Sequence, residues 1–162
     1  MIVVADTSPL NYLIRAGYVR ILHDLFGRVL VPQAVLVELL HANAPPDVRS
    51  FAESPPAWLE CVSLKAQLEG FPVTLGAGER EAISLALQVH AEVILIDDLE
   101  GRIEAKARQI PARGTLAILL QAALRGYLDF PEAFEQLTRL GFRTSPSIKK
   151  AVFDEYDRSK NV

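Results

Sequence analysis

Two short runs of apolar residues that end abruptly in carboxylates constrain the fold of this chain more than any other feature. Residues 2–5 lead directly into Asp6, and residues 93–96 lead into Asp97 and Asp98. Continuously apolar, β-branched runs of this length are typical of parallel strands that helices cover on both faces. Because an ionised carboxylate is costly to bury, acids at the ends of such strands indicate a functional site.

Strand-like and helical segments alternate along the rest of the chain. Residues 28–31 and 59–64 predict further strands, and residues 110–112 predict a strand at the edge of the sheet. This alternation predicts an α/β fold, with three α/β/α layers around a central, mostly parallel twisted sheet. Right-handed crossovers place the carboxyl ends of the strands at one edge, where ligands bind in such sheets. We therefore expect Asp6 and the two later aspartates to share one site.

The composition predicts one globular domain without a disulfide or a zinc-binding motif. The chain of 162 residues has one cysteine and three scattered histidines, with no ligand-like spacing. Its N-terminus predicts a strand and not a signal peptide, and its longest apolar helix is too short to span a bilayer. We expect a cytoplasmic domain over residues 1–162, with residues 142–162 as a C-terminal helical tail and no membrane partner.

The net charge of −3 conceals an uneven distribution of charges. Acids outnumber bases in residues 1–98, whereas bases outnumber acids in residues 99–162. If the acids of the site bind cations, the remaining surface is positive and can accept a polyanion. The bases that follow the last acidic motif are candidates for contacting a nucleic-acid backbone, and they are Arg102, Lys106, Arg108 and Arg113. A solvated helix face explains the same residues equally well.

Glu38 and Ser8 are single polar residues whose local context carries a prediction. Residues 34–37 and 39–40 are all apolar, so the helix around Glu38 is expected to be buried on nearly every face. A buried glutamate needs a cation, a hydrogen-bond network or a raised pKa, although a salt bridge to a core arginine is an alternative. Ser8, followed by Pro9, predicts the N-cap of the first helix.

Two further motifs each contain a pair of acids. Glu79 and Glu81 lie in the first turn of a predicted helix, where the helix dipole favours acids for stability alone. Because they are two residues apart, only one of them can point squarely into a shared pocket. Asp97 and Asp98 present the same choice, since an acid after a parallel strand often starts the next helix. Both choices are open at this level.

Together the acids predict a site for Mg²⁺ or Mn²⁺. A cluster of carboxylates repels itself when it is empty, and oxygen-only ligation without histidine or cysteine favours these hard cations. The candidate metal ligands are all carboxylates, and they are Asp6, Glu38, Glu79, Glu81, Asp97 and Asp98.

Four acidic segments, in this order, resemble the motifs of the PIN-domain nucleases. They are residues 3–10 (VVADTSPL), 31–38 (VPQAVLVE), 78–86 (GEREAISLA) and 94–102 (ILIDDLEGR). Residues 114–120 (GTLAILL) and 141–146 (GFRTSP) extend the resemblance to the VapC-like toxin branch. The resemblance covers nearly the whole chain and implies a PIN-like fold.

The resemblance also implies roles for particular residues. The family's four acids fall on Asp6, Glu38, Glu81 and Asp98, with the hydroxyl of Ser8 beside the first. Glu79 adds the Glu-x-Glu spacing of the related flap nucleases, and Asp97 occupies a position that varies in the family. The implied function is Mg²⁺- or Mn²⁺-dependent cleavage of RNA by the toxin of a toxin–antitoxin pair. The implied partners are an RNA substrate, a small antitoxin protein and a second copy of the chain in a homodimer.

Three other readings use the same acids differently. A phosphohydrolase of the haloacid-dehalogenase type needs a second aspartate two residues after the first, where this chain has Ser8. A phospho-accepting receiver module needs its acidic pair first and its single aspartate later, which is the reverse of this order. A PIN module that binds RNA or an antitoxin without cleavage is the third, and the presence of all four acidic positions gives it no support.

Overall fold

Five short strands form a parallel sheet at the centre of the computed structural model, which describes residues 1–161. In chain order they are β1 (Val3–Ala5), β2 (Val29–Val31), β3 (Leu59–Cys61), β4 (Val93–Leu95) and β5 (Ala112–Arg113). They lie side by side in the order β3-β2-β1-β4-β5, and every neighbouring pair is parallel. Val162, the last residue of the predicted tail, lies outside the described residues.

Helices connect the strands and cover both faces of the sheet. Within residues 1–161 they are α1 (Thr7–Ala16), α2 (Ile21–Phe26), α3 (Gln33–Leu40), α4 (Pro46–Glu53), α5 (Ala77–Gln88), α6 (Leu99–Ala107), α7 (Thr115–Leu124), α8 (Phe130–Arg139) and α9 (Pro146–Lys160). The predicted three-layer α/β/α architecture is confirmed. None of these helices combines the length and the apolar character needed to cross a membrane.

The alternation of side chains along each strand divides the core into two layers. In β1, Val3 and Ala5 pack into one layer and Val4 into the other, and all three are fully buried. Leu10 of α1 and Ile118 of α7 belong to the first layer, whereas residues of α5 and α6 form much of the second. Both faces are covered at the three central strands, and β1, β2 and β4 are accordingly apolar and buried throughout.

The order of the strands reverses between β1 and β4. β2 and β3 lie on one side of β1, and β4 and β5 lie on the other. At such a switch point the connections leave towards opposite faces of the sheet and open a crevice at the carboxyl ends of the strands. Asp6 follows β1 directly, and its backbone N–H donates a hydrogen bond of 2.8 Å to the carbonyl of Leu95. Asp97 follows β4 by two residues, so both acids lie at this crevice.

The prediction that Ser8 caps the first helix is wrong. α1 begins at Thr7, and the N-cap residue is Asp6, whose side chain makes no capping hydrogen bond. The hydroxyl of Ser8 instead donates a hydrogen bond of 2.9 Å to a carboxylate oxygen of Asp97. A residue suited to local capping is therefore used for a contact between two distant parts of the chain.

The helix that carries Glu38 is less buried than its apolar sequence predicts. Val35 and Leu39 of α3 are fully buried, but Val37 is 54% exposed and Leu40 is 40% exposed. α3 packs against α1, α4 and α5, so only part of its circumference is covered. Glu38 itself is half-buried. The expectation of burial on nearly every face is therefore wrong.

The C-terminal helix packs against the domain through a cluster of aromatic rings. Phe130, fully buried at the start of α8, contacts Phe153 and Tyr156 of α9 with ring centroids 5.1 and 5.5 Å apart. Phe134 contacts Phe153 as well, at 5.2 Å. These contacts hold α9 next to α7 and α8.

We expect Ile118→Ala to destabilise the fold far more than Ile103→Ala. Ile118 of α7 is fully buried, whereas Ile103 of α6 is 57% exposed. The buried substitution should lower the free energy of unfolding by about 2–5 kcal/mol, because it leaves a cavity. The exposed one should change it by about 0.5 kcal/mol or less. Urea unfolding of both variants measures the difference, and equal losses would contradict this description of the core.

Candidate active site

Asp6 is a carboxylate buried where β1 meets α1. It is 2% exposed, and its Oδ1 atom has no hydrogen-bond partner among residues 1–161. Burial, together with the negative charges of Glu79, Glu38 and Asp97, raises the pKa of Asp6 to about 8. A hydrogen bond from the backbone of Thr7 acts in the opposite direction. Asp6 is therefore a poorly compensated acid that a nearby cation would stabilise.

Glu38 is held beside Asp6 by the first turns of two helices. The hydroxyl of Thr7 donates a short hydrogen bond to Oε2 of Glu38, and the backbone N–H of Gly78 donates one of 3.1 Å to Oε1. A Cβ atom on Gly78 would lie 2.7 Å from both of these oxygens. Any other residue at this position would displace the carboxylate of Glu38 from its present place.

Asp97 is fixed by three hydrogen bonds from two helices. The backbone N–H and the hydroxyl of Thr115 donate to it at 2.7 and 2.6 Å, and Ser8 donates the third. Thr115 is fully buried at the first position of α7. Sequence patterns assigned no role at the site to Thr115. Its signals are a polar residue at the start of a strongly apolar helix and its place in the family-like segment 114–120. The network leaves the carboxylate of Asp97 in one defined orientation.

The two glutamates of α5 point to different places. Glu79 is half-buried and lines the same crevice as Asp6 and Ser8. Glu81 accepts a hydrogen bond of 3.0 Å from the backbone N–H of Ala34, in the first turn of α3. The side chain of Glu81 thus caps a neighbouring helix, as the two-residue spacing permits. The geometry therefore brings Glu79, and not Glu81, to the crevice, and the roles of both stay predictions.

Asp98 is similarly engaged in helix capping. It is the N-cap residue of α6, and its Oδ2 atom accepts a hydrogen bond of 2.9 Å from the backbone N–H of Gly101. Its side chain is exposed at the rim of the cleft, whereas that of Asp97 is half-buried. The geometry therefore favours Asp97 over Asp98 as a ligand. The assignments of both aspartates stay predictions.

A cleft of about 720 Å³ extends from the acids to the connection between α8 and α9. Of the four predicted nucleic-acid contacts, Arg102 lines this cleft. Lys106 is exposed further along α6. Arg108 stacks over a phenylalanine ring, with its guanidinium carbon 4.5 Å from the ring centroid. Arg113 donates a hydrogen bond to a glutamine of α7. The structure thus places Arg102 next to the acids and gives Arg108 and Arg113 contacts elsewhere.

The acids form an incomplete but chemically suitable site for a divalent cation. Within residues 1–161, no three side chains of His, Cys, Asp or Glu converge as a preformed metal site. Four carboxylates nevertheless act on one another, since Glu79, Glu38 and Asp97 all raise the pKa of Asp6. Their oxygen donors and the unpartnered Oδ1 of Asp6 suit a hard cation such as Mg²⁺ or Mn²⁺.

Comparisons with known proteins agree with this architecture. Among solved structures, the chain is similar to a PilT N-terminus domain protein from the hyperthermophilic archaeon Sulfolobus solfataricus. The match has a TM-score of 0.55 and 13% sequence identity, and it covers 75% of this chain and 93% of that one. No curated protein matches significantly. The family model described as PIN domain matches residues 2–158. The chain therefore belongs to the PIN-domain family, whose members are generally nucleases.

Proposed function

We propose that this protein is a Mg²⁺- or Mn²⁺-dependent endoribonuclease that hydrolyses phosphodiester bonds of RNA. The observation that carries the proposal is Asp6, buried with an unpartnered oxygen and surrounded by three other carboxylates. Such a cluster weakens the fold unless a cation offsets its charge. Membership of the PIN-domain family supports a nuclease over a phosphohydrolase of the haloacid-dehalogenase type.

The residues of the site divide into those that bind the cation and those that orient them. Asp6 and Asp97 would hold it from the ends of two neighbouring strands, with Glu38 from α3. When bound, the cation supplies the Lewis acidity that makes water a nucleophile at neutral pH and offsets charge on the phosphate. Thr115 and Ser8 keep Asp97 oriented, and no rotation of that side chain is needed during the reaction.

Glu79 is the group best suited to move a proton. It makes no hydrogen bond or ion pair with any other group of residues 1–161, so its oxygens are free to accept a proton from the attacking water. Arg102, in the same cleft, can offset the negative charge of the phosphate. In this scheme Glu81 and Asp98 support the site by capping α3 and α6.

We further propose that the protein acts in the cytoplasm as a homodimeric toxin controlled by a small antitoxin protein. Exposed apolar side chains support a protein partner, namely Val37 and Leu40 on α3 and Leu99 and Ile103 on α6. Sedimentation of the purified chain, alone and with its antitoxin, would establish both associations.

Asp6→Asn should abolish metal-dependent cleavage of RNA while the fold is retained. Removal of the charge of Asp6 removes the most buried ligand, so we expect a loss of at least about 100-fold in rate. The matched control is Asp24→Asn, since Asp24 is exposed on α2 and outside the site. Cleavage of an RNA panel with Mn²⁺, Mg²⁺ or EDTA measures the effect. Undiminished cleavage in EDTA, or in Asp6→Asn, would refute the mechanism.

Replacing each of the paired acids by its amide should show which acid of each pair is needed for cleavage. Glu79→Gln and Asp97→Asn should each lower the cleavage rate by at least about 10-fold, because both carboxylates face the site. Glu81→Gln and Asp98→Asn should retain activity and lose at most about 1 kcal/mol of stability, because they remove only charges from helix caps. The reverse pattern would restore Glu81 and Asp98 as the working acids.

Asp6→Asn is also expected to stabilise the metal-free protein. The pKa of Asp6 is about 8 in the folded state, against an ordinary value of 3.8. Between these values the folded state keeps a proton that the unfolded state releases, so the free energy of unfolding falls as the pH rises. At pH 7 the variant should exceed the wild type by at least about 1 kcal/mol. The advantage should disappear near pH 4.

Urea unfolding in EDTA across this pH range measures that difference. Added Mn²⁺ should raise the melting temperature of the wild type and have much less effect on Asp6→Asn, because a ligand stabilises only a state that binds it. An advantage of Asp6→Asn that grows as the pH falls would contradict the assigned burial of this carboxyl.

A further inference from the structure

The cleft has a second, apolar side that the acids do not explain. Its side chains come from α1, α7, α9 and the connection between α8 and α9, and they are Tyr12, Leu116, Phe142, Ile148 and Val152. We call these residues the aromatic wall. They lie in the same cleft as Glu79 and Asp97, so one ligand can contact both sides at once.

The rings of the aromatic wall pack against each other, and part of the wall remains exposed in the cleft. Tyr12 and Phe142 pack edge to face, with ring centroids 5.1 Å apart and planes at 87°. Both rings are half-buried, and Ile148 beside them is 48% exposed. Rigid apolar groups that remain exposed beside a charged site are typical of a binding surface.

Two arginines line the same cleft, and neither is paired with a carboxylate of the described residues. Arg102 reaches it from α6, and Arg143 reaches it from the connection between α8 and α9. Neither forms a salt bridge among residues 1–161, although Glu79, Asp97 and Asp98 line the same space. A guanidinium group that is free in this way can bind a phosphate through two parallel hydrogen bonds.

We propose that the aromatic wall and Arg143 form a nucleotide subsite beside the scissile phosphate. An unpaired base packs on Phe142 and Ile148, and its phosphate binds Arg143. The subsite rests on the proposed function, because the acids define where the scissile phosphate lies. A cleft of about 720 Å³ falls within the roughly 300–1,000 Å³ typical of small-ligand sites.

The chemistry of the cleft favours a single strand over a duplex or a protein segment. The faces of paired bases are stacked on one another, so only an unpaired base can cover an aromatic wall. An apolar peptide could cover the wall but would leave Arg102 and Arg143 without a counter-charge. A nucleotide supplies an apolar face and an anion within one unit.

The test uses the Asp6→Asn chain in EDTA, in which binding is measured without cleavage. Fluorescence anisotropy gives the affinity for a labelled single-stranded RNA of 12 nucleotides and for the duplex of the same sequence. Phe142→Leu keeps the apolar volume and removes the ring, and Arg143→Ala removes an exposed charge. Arg158→Ala is the matched control, since Arg158 is exposed near the end of α9 and outside the cleft.

Phe142→Leu and Arg143→Ala should each weaken single-strand binding by about 10-fold, and Arg158→Ala should leave it unchanged. Among the three variants, only Arg143→Ala should make the slope of log affinity against log salt concentration shallower, by about 1. Duplex binding should be weaker and insensitive to Phe142→Leu. Equal affinities for all variants, equal losses with the duplex, or no single-strand binding would overturn the subsite. Absence of cleavage by the wild type would overturn the nuclease instead, and the binding result would still stand.

Discussion

The burial of Asp6 is the interaction on which the rest of the site depends. Desolvation and three neighbouring carboxylates all oppose its charge, and one of its oxygens has no partner among the described residues. A fold that keeps such a group gives up stability at neutral pH, since the charged form is disfavoured. A divalent cation bound by Asp6 and the neighbouring acids would offset this charge.

The helices around the site fix the acids rather than neutralise them. Asp97 receives three hydrogen bonds from Thr115 and Ser8, and Glu38 receives two from Thr7 and Gly78. These donors come from the first turns of α1, α5 and α7. Three are side-chain hydroxyls, and the other two are backbone N–H groups, which lack partners within the helix at its start. The crevice at the strand-order reversal is where these helix starts meet. The sheet topology therefore decides both where the acids gather and what holds them.

The aromatic wall also depends on contacts between distant parts of the chain. Tyr12 and Phe142 are far apart in the chain, and their contact exists only because α1 lies near the connection between α8 and α9. The contacts of Phe130 with α9 hold that helix in position along the cleft. The acids and the wall thus belong to one cleft whose lining residues come from distant parts of the sequence.

The sequence by itself determined the fold class and the location of the acids. The short, β-branched apolar runs that end in Asp6 and Asp97 predict covered parallel strands, since burial on both faces removes the usual alternation. Local patterns could not decide between Glu79 and Glu81, because both suit the first turn of a helix. They also misassigned Ser8, whose hydroxyl serves Asp97 on a distant strand end. Only the tertiary structure decided which hydrogen bonds Ser8 and Glu81 make, because their partners are tens of residues away along the chain.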